Sequence, residues 1–166
     1  TQLMLNSPIG TLPFPRQWVA VDAKMRGKEF RVITTHLEPA AQPIRVAQAQ
    51  ELLSGPASTT LPTILIGDIN AQPSDAGDAA ATLISAGFTD MWSVVRPTDS
   101  GFTCCQATDL RNPVSTVDQR IDLVLMRNGP EGVHAQLVGD IPINLVPSGV
   151  RWASDHAGVM AAIELP

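Results

Sequence analysis

The sequence predicts an α/β layered sandwich, and three observations predict it. Apolar or β-branched runs recur at Glu29–His36, Thr63–Ile66 and Arg120–Met126. Segments with apolar residues at helical spacing fall between them. The resulting order is strand, strand, helix, strand, helix, long loop, strands, which places helices in a layer against a sheet.

Residues 1–16 read as an irregular lead-in carrying Pro8, Pro13 and Pro15. Gln17 to Ala23 alternates, Arg26-Gly27-Lys28 is a turn signal, and Glu29 to His36 is a second strand, so the two form a hairpin. Arg45 to Leu53 is a helix, with Val46, Ala49, Leu52 and Leu53 on one face, stopped by Ser54-Gly55-Pro56. Thr63 to Ile66 is a buried strand. Asp75 or Asp78 caps a small-residue helix through Ala79, Leu83 and Ile84, which Gly87 ends. Trp92 to Gln119 has no period and reads as a long loop, a length that compact domains keep for function or leave disordered. Arg120 to Met126, His134 to Val138 and Gly158 to Leu165 are the last strands. Thr63–Ile66 and Ile121–Met126 are apolar on both faces, so each expects cover on both.

At 166 residues the chain fits one domain spanning 1–166. Hydrophobic residues make up 44% and charged residues 16%, which excludes the disordered class and suggests that some surface is covered. With 11 Lys and Arg against 16 Asp and Glu, the net charge of −5 disfavours gripping duplex DNA by charge alone. It leaves phosphodiester chemistry open, because a bound cation changes the local sign. The longest apolar run falls short of the ~18–20 residues that span a bilayer. No basic region precedes an apolar stretch at the start, so no signal peptide is expected within the chain. The two cysteines, Cys104 and Cys105, are adjacent. A bridge between neighbours is strained, which favours two reduced thiols, or one thiol paired outside this chain. No ligand at zinc spacing lies near them in sequence.

Polar residues gather at the strand ends. Thr35-His36-Leu37 closes one run, Gly67-Asp68-Ile69-Asn70 follows another, and Arg120-Ile121-Asp122 opens a third. Ser154-Asp155-His156 heads the last. Such groups are expensive in apolar surroundings unless used or paired. Asp68 and Asn70, two apart on an extended segment, point to one side and offer a charged acceptor beside a neutral amide. Asp122, within an apolar run, needs a partner, and His156 is the natural one: a carboxylate on one ring nitrogen fixes the tautomer and frees the other. Arg120 is the alternative partner. Taken alone, His36 also reads as a hairpin-end histidine bonded to backbone, Asp68 as a turn or capping residue, and Asp155-His156 as a strand-start turn. Gln50-Glu51, His134 and the tryptophans read as surface or packing residues, with Trp152 close enough to Asp155 to line a pocket.

In that order, Thr-His-Leu, Gly-Asp-Ile-Asn, Arg-Ile-Asp and Ser-Asp-His resemble the endonuclease/exonuclease/phosphatase superfamily, over roughly Trp18 to Leu165. The resemblance implies a DNase I-like layered α/β sandwich and divalent-metal-dependent hydrolysis of a phosphate ester by in-line attack of water. It implies that His36 lines the phosphate pocket, Asp68 orients or deprotonates the water, and Asn70 holds a phosphate oxygen. Asp122 and His156 act together, and Asp155 helps hold the metal, Mg²⁺ or Mn²⁺. The substrate would be a nucleic acid, a phospholipid head group or a phosphoinositide. The family's opening strands, with an Asn and then a Gln-Glu pair whose Glu is the principal metal ligand, have no counterpart before Thr35-His36-Leu37. The chain is therefore expected to be the C-terminal half of the domain, one sheet with its two helices. It would bind metal weakly and pack against an N-terminal half or a second copy. The rival reading is a non-catalytic half-domain that needs such a partner.

Overall fold

The computed structural model describes residues 4–7, 10–13, 16–143 and 148–166. Strands β1 (Met4–Ser7) and β2 (Gly10–Pro13) pair antiparallel. This corrects the irregular lead-in expected over 1–16. Four-residue strands are too short to show a period, and Pro13 sits at the end of a two-stranded hairpin, where a missing N–H is tolerated. Pro8 and Pro15 lie outside the described residues.

The main sheet has five strands in the order β3-β4-β5-β7-β6. β3 (Trp18–Met25) and β4 (Lys28–His36) form the expected hairpin. Arg26 and Gly27 both take positive φ, 51° and 86°, as a tight hairpin turn between twisted strands requires. The chain then crosses through α1 (Gln42–Ser54) and returns as β5 (Thr63–Asp68), parallel to β4. Helix α2 (Ala79–Ser85) starts at Asp78, whose Oδ1 accepts from Ala79 N at 2.6 Å. Arg45 of α1 reaches the same carboxylate at 2.7 and 2.5 Å and ties the two helices together. β7 (Asp122–Arg127) runs antiparallel to β5, with the two-residue β6 (Thr89–Asp90) outside it.

Two differences from the expected sheet with two helices stand out. A third helix, α3 (Met91–Val95), opens the segment read as loop; one turn is too short to show a 3.6-residue period. β8 (Glu131–Val138) and β9 (Gly158–Glu164) pair with each other as a separate ribbon. Strand character is legible in sequence, but the choice of partner depends on packing. The sulfurs of the adjacent Cys104 and Cys105 lie against each other.

The register defines the sheet's two faces. On one, Ile33, Leu65 and Leu125 form a cross-strand row with no exposed surface, packed with Ala49 and Leu52 of α1 and Ala79, Ala80 and Leu83 of α2. On the other, Ile64, Val124 and Met126 pack with Met91 and Trp92 of α3 and with Ala135, Leu137, Val159, Ala161 and Ile163 of the ribbon. The ribbon packs over β7 and over Ile64 of β5. Val19 and Val21, whose cross-strand partners Thr34 and Val32 continue the same rows, remain 58% and 55% exposed.

Candidate functional site

Three chain segments meet at the end of the sheet. The parallel register sets His36 opposite Asp68, and the antiparallel register sets Asp68 opposite Asp122. These three residues therefore form one row across β4, β5 and β7. His36 Nε2 lies 3.4 Å from Asp68 Oδ2. By alternation this row shares the face of Ile66 and Val124. A cleft of about 240 Å³ opens along it, lined by Thr34, Ile66, Gly67, Asp122, Val124, Gly158 and Val159 among others.

His156 arrives from outside the sheet. The segment from Thr103 to Gln106 lies between two others: Thr103 and Cys104 N–H groups donate to Gln119 O, Ala157 N donates to Thr103 O, and Gln106 N donates to Asp155 O. This clamp holds His156 over the end of β7, where Nδ1–H donates to Asp122 Oδ2 at 2.8 Å. Ligand atoms of Asp68, Asp122 and His156 all lie within 4.8 Å of one another. The expected Asp122–His156 contact is therefore present. Arg120 pairs elsewhere, with Asp90 at 2.8 Å and Ser93 at 3.1 Å. It precedes the first residue of β7, so strand alternation does not govern where it points.

Asn70 departs from the expected geometry. β5 ends at Asp68, and Asn70 takes φ 53°, the left-handed region that Asn tolerates. Asp68 Oδ1 accepts from Asn70 N at 2.8 Å, a side-chain-closed turn, while Asn70 Nδ2 donates to Leu37 O at 3.0 Å. The amide thus ties the two strand ends together and keeps a second N–H. Asp155 is exposed and outside the tight cluster, with Ser154 Oγ 3.3 Å from its Oδ1.

Electrostatics distinguish the acid from the histidine. Burial pushes the Asp68 carboxyl up; the Asn70 N–H pulls it down, Asp122 pushes it up, and His36 and His156 pull it down, leaving it above the ordinary carboxylate value. For His156, burial disfavours the charged ring. The Asp122 hydrogen bond and the charges of Asp122, Asp68 and Asp155 outweigh burial, and the net shift is upward.

Two contributors escaped the sequence reading. Thr103, fully buried, accepts at Oγ1 from Ile121 N at 3.3 Å and Asp122 N at 3.2 Å, and so fixes the start of β7. It lies within the Trp92–Gln119 segment, whose aperiodic sequence does not announce these partners. Cys105 Sγ stands 3.9 Å from His156 Nε2, a contact across 51 positions that no local motif announces. Trp152 is buried, with Nε1 donating to Asn112 O, and it acts in packing.

Residues 6–156 match the sequence profile of the Endonuclease/Exonuclease/phosphatase family. The chain belongs to this family. No curated protein matches it at a significant level. Among solved structures, a mannosyl-6-phosphatase from Bacteroides thetaiotaomicron VPI-5482 is similar with TM-score 0.68 at 20% identity, over 93% of this chain and 58% of that one. TDP2 of D. rerio, complexed with a single-strand DNA product, gives 0.64 at 20% identity over 90% and 62%. A family protein from Beutenbergia cavernae DSM 12333 gives 0.66 at 21% identity over 99% and 46%. At these identities the likeness shows the fold, the DNase I-like α/β architecture. The chain spans about half to three-fifths of the length of these structures.

Proposed function

We propose that this chain carries the carboxylate and histidine part of a divalent-metal-dependent phosphate-ester hydrolase. The observation that supports this best is the row His36–Asp68–Asp122 with His156 held 2.8 Å from Asp122. Asp122 keeps the proton on His156 Nδ1, so Nε2 is the atom directed at substrate. The raised His156 ring carries positive charge nearer neutral pH, where it stabilises charge developing on phosphorus and gives a proton to the leaving oxygen. The raised Asp68 carboxylate is a better base than an exposed aspartate and orients or deprotonates the attacking water. Asn70 offers its second amide hydrogen to a phosphate oxygen, and His36 closes the row.

The donor set fits a hard cation in part. Asp68 and Asp122 converge, while Asp155 stands outside the tight cluster and acts on the His156 ring by charge, and a cation would relieve the burial and repulsion that raise Asp68. Mg²⁺ and Mn²⁺ take about six oxygen ligands, more than these residues supply, so weak binding to the chain alone is the expectation. When bound, the ion would polarise a phosphate oxygen as a Lewis acid. The substrate class is a phosphate ester, among nucleic acid, phospholipid head group and phosphoinositide.

A second reading has its own support. The exposed valines of β3 leave a sheet face that an N-terminal half-domain, or a second copy, would cover; without it the chain would be non-catalytic. One experiment separates the two. The chain is assayed with Mg²⁺ or Mn²⁺ on a chromogenic phosphodiester and monoester. Turnover that falls by ~10²–10⁴ in both Asp68→Ala and His156→Ala supports the hydrolase. A flat trace supports the incomplete half-domain, and turnover unchanged in both variants refutes the site.

A further inference from the structure

Asp122 and His156 pair across 34 positions of chain, and one residue outside both segments bonds to each of them. That residue is Thr103, which has no exposed surface and no part in the chemistry described above. We propose that Thr103 is a positioning residue: its hydroxyl fixes Asp122, its carbonyl fixes the backbone beside His156, and together they hold the two side chains at bonding distance.

Three observations carry the inference. The first is the hydroxyl. Oγ1 accepts from Ile121 N at 3.3 Å and from Asp122 N at 3.2 Å, and it faces Gln119 O at 3.5 Å. A hydroxyl has one hydrogen to give and two lone pairs, so each is committed inside the protein. β6 pairs with β7 only at Leu125 and Met126, and so gives Asp122 no backbone partner. The Thr103 oxygen supplies one.

The second is the carbonyl. Ala157 N donates to Thr103 O at 2.8 Å, and the next residue, Cys104, forms a bridge pair with His156. Both arms leave one residue. Its covalent geometry therefore sets where Asp122 and His156 stand relative to each other, in place of the long chain between them. The result is the 2.8 Å contact from His156 Nδ1 to Asp122 Oδ2, within the short range of charge-assisted hydrogen bonds.

The third is the residue type. Valine has nearly the shape of threonine, but at 103 it would leave the N–H groups of Ile121 and Asp122 without their acceptor, and an unpaired buried donor is costly. Serine keeps the oxygen and loses only a methyl group. A role in packing alone would rank the two the other way, with valine tolerated and serine harmful.

The inference rests on the Asp122–His156 pair of the reading above but not on turnover. The full chain, isotope-labelled in its histidine rings, is followed by NMR for the Nδ1–H proton of His156. That proton is observable while its bond to Asp122 shields it from exchange with water, and His156→Gln assigns it. Thr103→Val should lose the signal and shift the urea unfolding equilibrium toward the unfolded chain by ~10–100-fold for each amide left unpaired. Thr103→Ser should keep the signal and shift that equilibrium by no more than ~10-fold. A folded Thr103→Val that keeps the signal overturns the proposal, and so does a Thr103→Ser that loses it. Should Thr103→Val not fold, the unmodified chain decides: the Ile121 and Asp122 amides should resist deuterium exchange, and exchange at the rate of an unstructured peptide overturns the proposal. A flat activity trace leaves all these readouts in place, so failure of the hydrolase reading and failure of the Thr103 role are separate results.

Discussion

Gly67 is the residue through which the fold holds the site in register, and Gly67→Ala tests this directly. Gly67 has φ 144°, open in practice to glycine alone, and a Cβ built there would stand 1.9 Å from Thr35 O. Real Cβ contacts do not fall below 3.0 Å, so β4 and β5 must part by about 1 Å beyond their usual spacing of ~4.8 Å. The backbone strain is worth ~1–3 kcal/mol, and forcing bulk into a packed place another ~1–3 kcal/mol. The expected loss is thus ~2–6 kcal/mol, a large share of the ~5–15 kcal/mol that holds a typical domain. Gly77→Ala is the control, since Gly77 also has positive φ, 76°, but nothing within 4 Å of its added methyl. Urea unfolding at fixed protein concentration compares the two. The site has its own readout, because Thr35 and Gly67 immediately precede His36 and Asp68 in the ladder. Ring resonances of His36 should move in Gly67→Ala and stay in Gly77→Ala. If Gly67→Ala is no less stable than Gly77→Ala, the close approach does not govern the junction and the reasoning fails.

Three further outcomes are expected. In Asp122→Asn, the His156 ring followed by NMR against pH should titrate below the ordinary ~6.5 instead of above it, because burial then acts with less opposition. Since the folded ring is raised, His156 contributes stability that is present below about 6.5 and lost as pH rises through the folded value; in the variant, with the ring lowered, the sign of that dependence should reverse, and an unchanged titration would count against the pair. Asp78→Ala removes both the α2 cap and the partner of a largely buried Arg45, and should lower stability by ~3–5 kcal/mol in urea unfolding; a change below about 1 kcal/mol would mean that the pair is idle. Val21→Lys should shift stability by no more than ~0.5 kcal/mol while reducing binding of an apolar dye or self-association, as expected for an exposed position on an uncovered face; a strongly destabilised variant would show that the face is already packed.

The sequence made legible those parts whose physics is local. The β3–β4 hairpin follows from alternation and a Gly turn, and α2 from an Asp cap and a Gly stop. Asp122 was paired with His156 on the argument that an acid in an apolar strand needs a partner, and the contact is there at 2.8 Å. Non-local choices were not legible. Arg120 is the alternative partner of Asp122 by sequence, yet it lies before the strand and turns to Asp90. Asn70 was expected on the strand, yet the Asp68 side chain captures its N–H and ends the extended backbone. The ribbon β8–β9, the one-turn α3 and the approach of Cys105 to His156 depend on packing between segments far apart in sequence.

The register adds a consequence for how fold and chemistry are linked. Along β5, Ile64, Ile66 and Asp68 alternate onto one face, as do Val32, Thr34 and His36 along β4. The uncovered apolar rows of Val19, Thr34 and Ile66 therefore run straight into the charged row of His36, Asp68 and Asp122. Whatever covers the apolar rows must also form a wall of the cleft beside Asp122. Covering them would exclude water from the row's flank, where lower polarity strengthens every charge interaction at the site. If a partner covers this face, one that packs on Val21 should raise the Asp68 carboxyl further by adding to the desolvation that already raises it. An NMR titration of Asp68 with and without a packed partner tests this, and a carboxyl that does not move on packing would separate the two functions of the face.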